Sequence, residues 1–378
     1  MAGDEDQGRL RILALEPYYG GSHRVFLDTL VRHSRHRFVV LSLPARKWKW
    51  RMRGSAIWFA ERLAEKPVDG VDLIFANDMV SVADLRALLP ERLKACPVVC
   101  YFHENQLTYP LSENDVRDYQ YGFTNVTSCL ASDEVWFNSQ SHLDAFLPAV
   151  EALLGSMPDF RPVNVIDRIR SRSRVAWPLV EGPPPSVPGF SGGGWKRTES
   201  PVILWSHRWE YDKNPELFFR TLCELDSEGL AFSLVLLGES FREVPAVFRS
   251  AWSRLERRIV HRGFVDSRDH YWRILADCNI VVSTAIQENF GLSTVEAMLA
   301  GCFPLLPNSL SYAELVPLEY HALCLYDSDE MFGERLRDCL GHCPPAADLA
   351  SVVRTRFCLA DGISMYDKHL ERVGRMAP

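Results

Sequence analysis

The chain has 378 residues, 47% of them hydrophobic, and a formal net charge of -7. That length and apolar content suit two globular domains of ordinary size and exclude a disordered or fibrous chain. The negative balance argues against a protein that coats nucleic acid by charge alone, while leaving room for a local basic patch.

The acidic opening MAGDEDQGRLR lacks the apolar core of a signal peptide, and no later segment reaches the roughly 20 apolar residues of a membrane span. The ten cysteines show no paired metal-ligand spacing; the nearest approach, Cys339 to Cys343 around His342, lacks the second half of a zinc site. The expectation is a cytoplasmic protein with reduced thiols, no metal and no cofactor.

Short apolar runs then alternate with helical stretches twice, the pattern of parallel α/β sheets. In the first half the strand candidates are LRILALE, RFVVLSL, VDLIFAN, PVVCYFH, EVWFNS and RVAWPLV; in the second they are PVILWSH, FSLVLLG, IVHRGFV, NIVVSTA, FPLLPN and ALCLY. Between them, EGPPPSVPGFSGGGW is too rich in Pro and Gly to join a regular element. The predicted organisation is an α/β fold of two Rossmann-like domains, residues 1–180 and 196–378, joined by a linker at 181–195. Tandem doubly wound domains would place the carboxyl ends of both sheets around one cleft, where ligands of open α/β sheets bind.

The first loop, EPYYGGSH, puts Gly20 and Gly21 where the first strand turns into its helix. A double glycine there lets a ligand approach the backbone; the plainer alternative is a tight turn. After the second strand, RKWKWRMR interleaves Arg46, Lys47, Lys49, Arg51 and Arg53 with Trp48, Trp50 and Met52. Cations for backbone phosphates and aromatic faces for unstacked bases are what single-stranded RNA recognition needs. The alternative is a surface segment with half-buried tryptophans and solvated charges. A second arginine cluster, RPVNVIDRIRSRSR from Arg161 to Arg174, adds weight to the RNA reading.

At the end of the fourth strand, YFHENQ offers His103 and Glu104. His103 can donate to a sugar hydroxyl and Glu104 can take a proton, although a histidine at a strand end can be purely structural. In the second half, SHRWEYDKNP carries Arg208 and Lys213 ahead of a helix. An arginine fork and a lysine point charge suit a diphosphate leaving group, unless the loop is simply charged and solvated.

IQENFGLSTVE then places Glu288 and Glu296 on either side of a strand-to-helix junction. Gly291 allows close backbone approach and the helix N-terminus presents amides to an anionic phosphate. Carboxylates beside a phosphate repel it, so the pair reads as acceptors for hydroxyls of the same ligand: a sugar and a ribose joined by a diphosphate. Ser293 to Glu296 also fits a capping box, which would give Glu296 a merely structural role. The last helical stretch, ISMYDKHLERV, has no assigned packing partner.

HRWEYDKN with IQENFGLSTVE resembles the arginine–lysine pair and E-x7-E element of retaining GT-B glycosyltransferases. EPYYGGSH, LPARKWKWR, YFHENQLTYP and RDYQYGF are similar to a glycosyltransferase-like family, the tRNA-queuosine α-mannosyltransferases. The resemblance covers nearly the whole chain apart from the linker and both termini. It implies transfer of mannose from GDP-mannose to a cyclopentenediol hydroxyl of queuosine in aspartate tRNA, with retention and with the leaving diphosphate accepting the proton. It assigns Arg208 and Lys213 to the diphosphate, Glu288 to the donor sugar and Glu296 to the ribose. Backbone amides of Asn289, Phe290, Gly291 and Leu292 would meet sugar and phosphate, His103 would lie beside the transferring sugar, and Gly20 and Gly21 would meet donor or acceptor. A glycan or lipid acceptor, or an inactive RNA-binding protein with this fold, are the alternatives.

Overall fold

Twelve β-branched, apolar runs become twelve strands in the computed structural model, which describes residues 8–111, 116–184, 200–238, 246–341 and 348–376. They are β1 (Arg11–Tyr19), β2 (Arg37–Pro44), β3 (Leu73–Asn77), β4 (Val98–Phe102), β5 (Glu134–Phe137) and β6 (Ser173–Val175), then β7 (Val202–Ser206), β8 (Ser233–Leu237), β9 (Ile259–Gly263), β10 (Ile280–Val282), β11 (Phe303–Pro307) and β12 (Leu325–Tyr326). Each expected strand segment overlaps one of them.

The first six form a sheet in the order β2-β1-β3-β4-β5-β6 and the last six a sheet in the order β12-β11-β10-β7-β8-β9. All pairings are parallel. The second order is that of a dinucleotide-binding fold, whereas the first is flavodoxin-like with one added strand. In each sheet the winding direction reverses once, between β1 and β3 and between β7 and β10. Loops at the carboxyl ends of those strands are where open α/β sheets bind ligands.

The central strands are buried along their whole length because helices cover both faces. On one face of the first sheet Leu13, Leu15, Ile74, Ala76, Val98, Cys100 and Phe102 pack with Phe59, Val126 and Phe146. The alternate residues Ile12, Leu73, Phe75, Val99 and Tyr101 face the other way, as the two-residue period of a strand requires.

That other face corrects the sequence-based partition. The chain divides into one unit of Met1–Leu179 with Leu359–Pro378 and another of Val180–Cys358, so the last residues of 196–378 belong to the first unit. Helix Leu359–Gly374 lays Tyr366, Leu370 and Val373 on the first sheet, and Tyr366 Oη donates to the carbonyls of Ala176 (3.0 Å) and Trp177 (2.9 Å). An amphipathic helix covers whichever apolar face lacks one, and chain order does not reveal which face that is. Most of the expected linker, from 185 onward, lies outside the described residues. None of the nine described cysteines forms a disulfide, and no helix of the described residues is long and apolar enough to cross a membrane.

Candidate active site

In the second unit, the loops after β7 and β10 are zipped together at the point where the winding reverses. Ile286 N donates to the Asp212 carbonyl (2.9 Å) and Thr284 Oγ1 to the Lys213 carbonyl (2.9 Å). Asn214 is left-handed (φ 47°) and its side chain caps helix Pro215–Ser227, with Pro215 in the first turn. Asn–Pro thus ends the loop and starts the helix.

The result places Lys213 and Glu288 together. The Lys213 ammonium is buried, donates to the Gln287 carbonyl, and lies 3.2 Å from Asp212 Oδ2 and 3.4 Å from Glu288 Oε2. Arg208 is half-exposed, with Nη2 3.2 Å from Glu210 Oε2. His207 precedes Arg208 in the same loop, and its imidazole is pushed down to about 3 by burial and then by the Lys213 and Arg208 charges. Gly238, at φ 145°, lets the end of β8 press against this loop: a Cβ there would stand 1.8 Å from the His207 carbonyl oxygen.

Glu296 is not a cap. Helix Leu292–Leu299 begins after Gly291 at φ 92°, with no side-chain cap bond, and Ser293 Oγ donates instead to the Ser206 carbonyl (2.8 Å). The buried Glu296 carboxylate takes Arg268 Nη1 at 2.8 Å and the Tyr271 hydroxyl at 2.8 Å. Burial, followed by that carboxylate, holds the Tyr271 phenol well above its ordinary range. The left-handed Gly291 sets the helix start two residues earlier than a Ser293 cap would. Asn289 accepts from Gln287 Nε2 (3.0 Å), and the Phe290 carbonyl from Ser311 Oγ (2.9 Å); the first amides of a helix beginning at Leu292 have no intrahelical acceptor.

In the first unit, Gly20 and Gly21 have separate reasons to be glycine. A Cβ on Gly20 would meet Ala45 Cβ at 2.5 Å, and Gly21 opens helix Gly21–His33 with φ 52°. His103 follows β4; its amide donates to Asp78 Oδ1 (3.0 Å), and its carbonyl accepts from Asn138 Nδ2 (2.9 Å). Its ring stacks on His23 at 4.1 Å and 24°. Burial and the neighbouring His23 and His142 hold His103 well below the usual imidazole range. Glu104 accepts from Gln106 Nε2 (3.1 Å).

Glu16, His23 and His103 present ligand atoms within 4.8 Å of one another. Two nearly parallel stacked imidazoles cannot both aim an in-plane lone pair at one ion, as metal ligation demands, so this geometry is poor for a cation.

RKWKWRMR opens a helix. Lys47 is left-handed (φ 56°) and helix Trp48–Glu65 starts after it. Met52 is buried with Met79 and Tyr121, against which Tyr18 and Trp48 pack, so motif residues far apart in sequence meet here. Lys49 Nζ lies 5.6 Å over the Trp48 ring, Arg53 4.9 Å over the Tyr121 ring, and Arg51 donates to the Pro44 carbonyl. Trp50 is 76% exposed, and Arg46 and Lys47 are exposed. In the second arginine cluster, Arg172 holds the Leu130 and Ser132 carbonyls and Arg174 pairs with Glu134, which commits those two to structure. Sequence reading missed His23, Asn77, Asp78, Asp212, Arg268 and Tyr271; a polar residue at a strand's carboxyl end, as in FAND, is the one signal that pointed to any of them.

Two doubly wound parallel sheets, with a buried lysine and flanking carboxylates where the second one reverses, define a GT-B glycosyltransferase. Residues 11–180 match the tRNA-queuosine alpha-mannosyltransferase N-terminal domain, and residues 194–349 match glycosyl transferases group 1. A tRNA-queuosine alpha-mannosyltransferase of Drosophila melanogaster is 39% identical over 313 residues, 82% of this chain and 82% of its own length. The chain belongs to the tRNA-queuosine alpha-mannosyltransferase family. Among solved structures, Anabaena HepE in complex with UDP aligns with a TM-score of 0.67 and 16% identity, over 96% of this chain and 100% of that one. Sucrose-phosphate synthase from Thermosynechococcus elongatus aligns with 0.68 and 16%, over 96% and 98%. At such identity these two speak for the fold alone.

Proposed function

We propose that this chain transfers mannose from GDP-mannose, with retention, to a cyclopentenediol hydroxyl of queuosine in the anticodon of aspartate tRNA, in the cytoplasm. The sugar and the queuosine of tRNA are those named for the Drosophila relative. The chemistry rests on one observation: a buried ammonium, Lys213, is held between Asp212 and Glu288 where the second sheet reverses.

In this reading Lys213 and Arg208 bind the diphosphate and stabilise its departure, the work a metal would otherwise do. Glu288 takes hydroxyls of the mannose, and amides from Asn289 to Leu292 meet sugar and phosphate. Glu296 takes the ribose diol beside Arg268 and Tyr271, since a carboxylate has room for further donors. The bond from mannose C1 to the β-phosphate oxygen breaks while the acceptor oxygen bonds C1 from the same face, and the hydroxyl proton passes to a β-phosphate oxygen of GDP. His103 serves the transferring sugar, and Gly20 and Gly21 let donor or acceptor approach the backbone. Arg46, Lys47, Lys49, Arg51 and Arg53 with Trp48 and Trp50 receive the tRNA.

Labelled GDP-mannose offered with queuosine-containing tRNA, queuosine-free tRNA and glycolipid acceptors tests it. Label should enter the first alone. Label in glycolipid, or in no acceptor, would overturn the assignment.

A further inference from the structure

The carboxyl ends of β1, β3 and β4 hold a polar chain of which only His103 has been given a role above. Asn77 is locked from both ends: Met79 N donates to its Oδ1 (2.7 Å), which fixes the amide orientation, and Nδ2 donates to Glu16 Oε2 (2.9 Å). Glu16 in turn accepts from Tyr18 N (2.8 Å). The second Nδ2 hydrogen is directed to His23 Nδ1 at 2.9 Å. A nitrogen facing an N–H must be an acceptor, so His23 carries its proton on Nε2. Burial opposes protonation of this ring, while the Glu16 carboxylate, with Oε1 3.6 Å from Nδ1, and then Asp78 and Glu104 raise its proton affinity on balance; a second proton on Nδ1 would have to give up the shorter Asn77 bond and turn to Glu16.

Among the described residues, neither His23 Nε2 nor either ring nitrogen of His103 has a hydrogen-bond partner, and none of the three is sealed from solvent. Asp78 Oδ1 holds the His103 amide, while Oδ2 is buried and unpartnered among the described residues. Burial, and then the charge of Glu104, keep the Asp78 carboxyl well above the usual range in spite of His23.

We propose that Glu16 and Asn77 fix His23 as a neutral Nε2–H donor, and that this N–H and the stacked His103 ring form a two-imidazole subsite for vicinal hydroxyls. The surroundings select that chemistry. Three carboxyl groups converge there, which disfavours a phosphate, while an N–H beside an imidazole that both donates and accepts matches a diol. Hydroxyls of this kind are present both in the donor sugar and in the cyclopentenediol acceptor. The naming of those two sources rests on the function proposed above; the tautomer does not.

Long-range proton–nitrogen spectra of histidine-labelled protein read the tautomer without turnover. At pH 7.5 the account expects the Nε2–H pattern for His23, and conversion to the doubly protonated form in Asn77→Asp, whose carboxylate would accept from Nδ1. An Nδ1–H pattern or an imidazolium in the parent would overturn it, whether or not any tRNA is glycosylated.

Titration then separates the sources. Displacement of the His23 and His103 signals by GDP-mannose but not GDP assigns the donor sugar, and displacement by free queuosine assigns the acceptor. No displacement at saturation with either would remove the subsite. In kinetics, His23→Asn restores an amide at the Nδ1 position only and should raise the KM of the assigned substrate at least tenfold. His23→Gln places an N–H near the Nε2 position, and its loss should be at least threefold smaller. Equal losses would make His23 merely structural.

Discussion

Lys213 and Glu288 stand 3.4 Å apart, amine to carboxylate, although they come from loops after different strands. The same amine has Asp212 at 3.2 Å, so one buried cation faces two acids. An anion that takes a share of this ammonium must compete with a carboxylate that a sugar can occupy instead. In the proposed function, donor binding and the release of Lys213 from Glu288 would be one event.

From this, Lys213→Ala should lower turnover by at least about a hundredfold, the scale of losing one oriented charge. It should also lower the melting temperature, because two acids are left facing each other in a buried place. Arg208→Ala is the cleaner variant, since Arg208 is half-exposed. Parental melting with a comparable fall in turnover is expected. Unchanged turnover, and unchanged GDP affinity by calorimetry, would take Arg208 out of the diphosphate site.

The Glu296 contacts set a second expectation. Glu296→Gln should raise the KM for the nucleotide sugar by about tenfold, or about 1.4 kcal/mol, because an amide offers one neutral acceptor where the ribose diol needs a carboxylate. The same change weakens the bonds from Arg268 and Tyr271. At about 1 kcal/mol for one weakened, partly exposed charge-assisted bond, a fall of about 2–4 °C in melting temperature follows for a unit of this size. Lower melting with a parental KM would leave Glu296 as a partner of Arg268 and nothing more.

For the basic segment, neutralising Arg46, Lys47 and Lys49 should weaken tRNA binding and flatten its dependence on salt, by up to about 0.7–0.9 per lost phosphate contact in the logarithmic slope. Arg51 and Arg53 are engaged with Pro44 and Tyr121 and should contribute less. Trp50→Ala should cost about 1–3 kcal/mol of tRNA affinity if a base stacks on its exposed face. Filter binding across a salt series reads both, with calorimetric GDP affinity expected to stay at the parental value.

Two buried histidines predict acid sensitivity. His142 and His207 are each pushed down to about 3 by burial, below the ordinary imidazole value of about 6.5. Between those values the unfolded chain binds protons that the folded chain refuses, so stability falls as pH falls from about 6.5 toward 3. His142 Nδ1 lies 2.8 Å from Asn138 Oδ1, a contact that His142→Asn can keep. That variant should lose about one proton from the linkage between pH 6.5 and 5, seen as a shallower fall in melting temperature. An unchanged pH slope would show that His142 titrates in the folded state.

The strands were legible because β-branched runs between turn residues have few other uses, and the two cationic and acidic loops were legible because each followed a strand. The capping-box alternative fails in the structure: Ser293 fits the pattern, yet Gly291 at φ 92° starts the helix earlier and Ser293 turns to the Ser206 carbonyl. Arg268 and Tyr271 gave no signal, since only the pairing of β10 with β7 and the packing of their helices bring them to Glu296. Asn77 gave only its place at a strand's carboxyl end, and its role depends on β3 lying beside β1. Pairwise contacts made by sheet order are not written in any local spacing.

The central claim is tested most directly by mass spectrometry of nucleosides from queuosine-containing aspartate tRNA after incubation with the purified protein and GDP-mannose. The account predicts that queuosine gains one hexose, that UDP-glucose gives far less, and that Lys213→Ala gives none. Queuosine left unmodified by the folded, GDP-binding protein would contradict it.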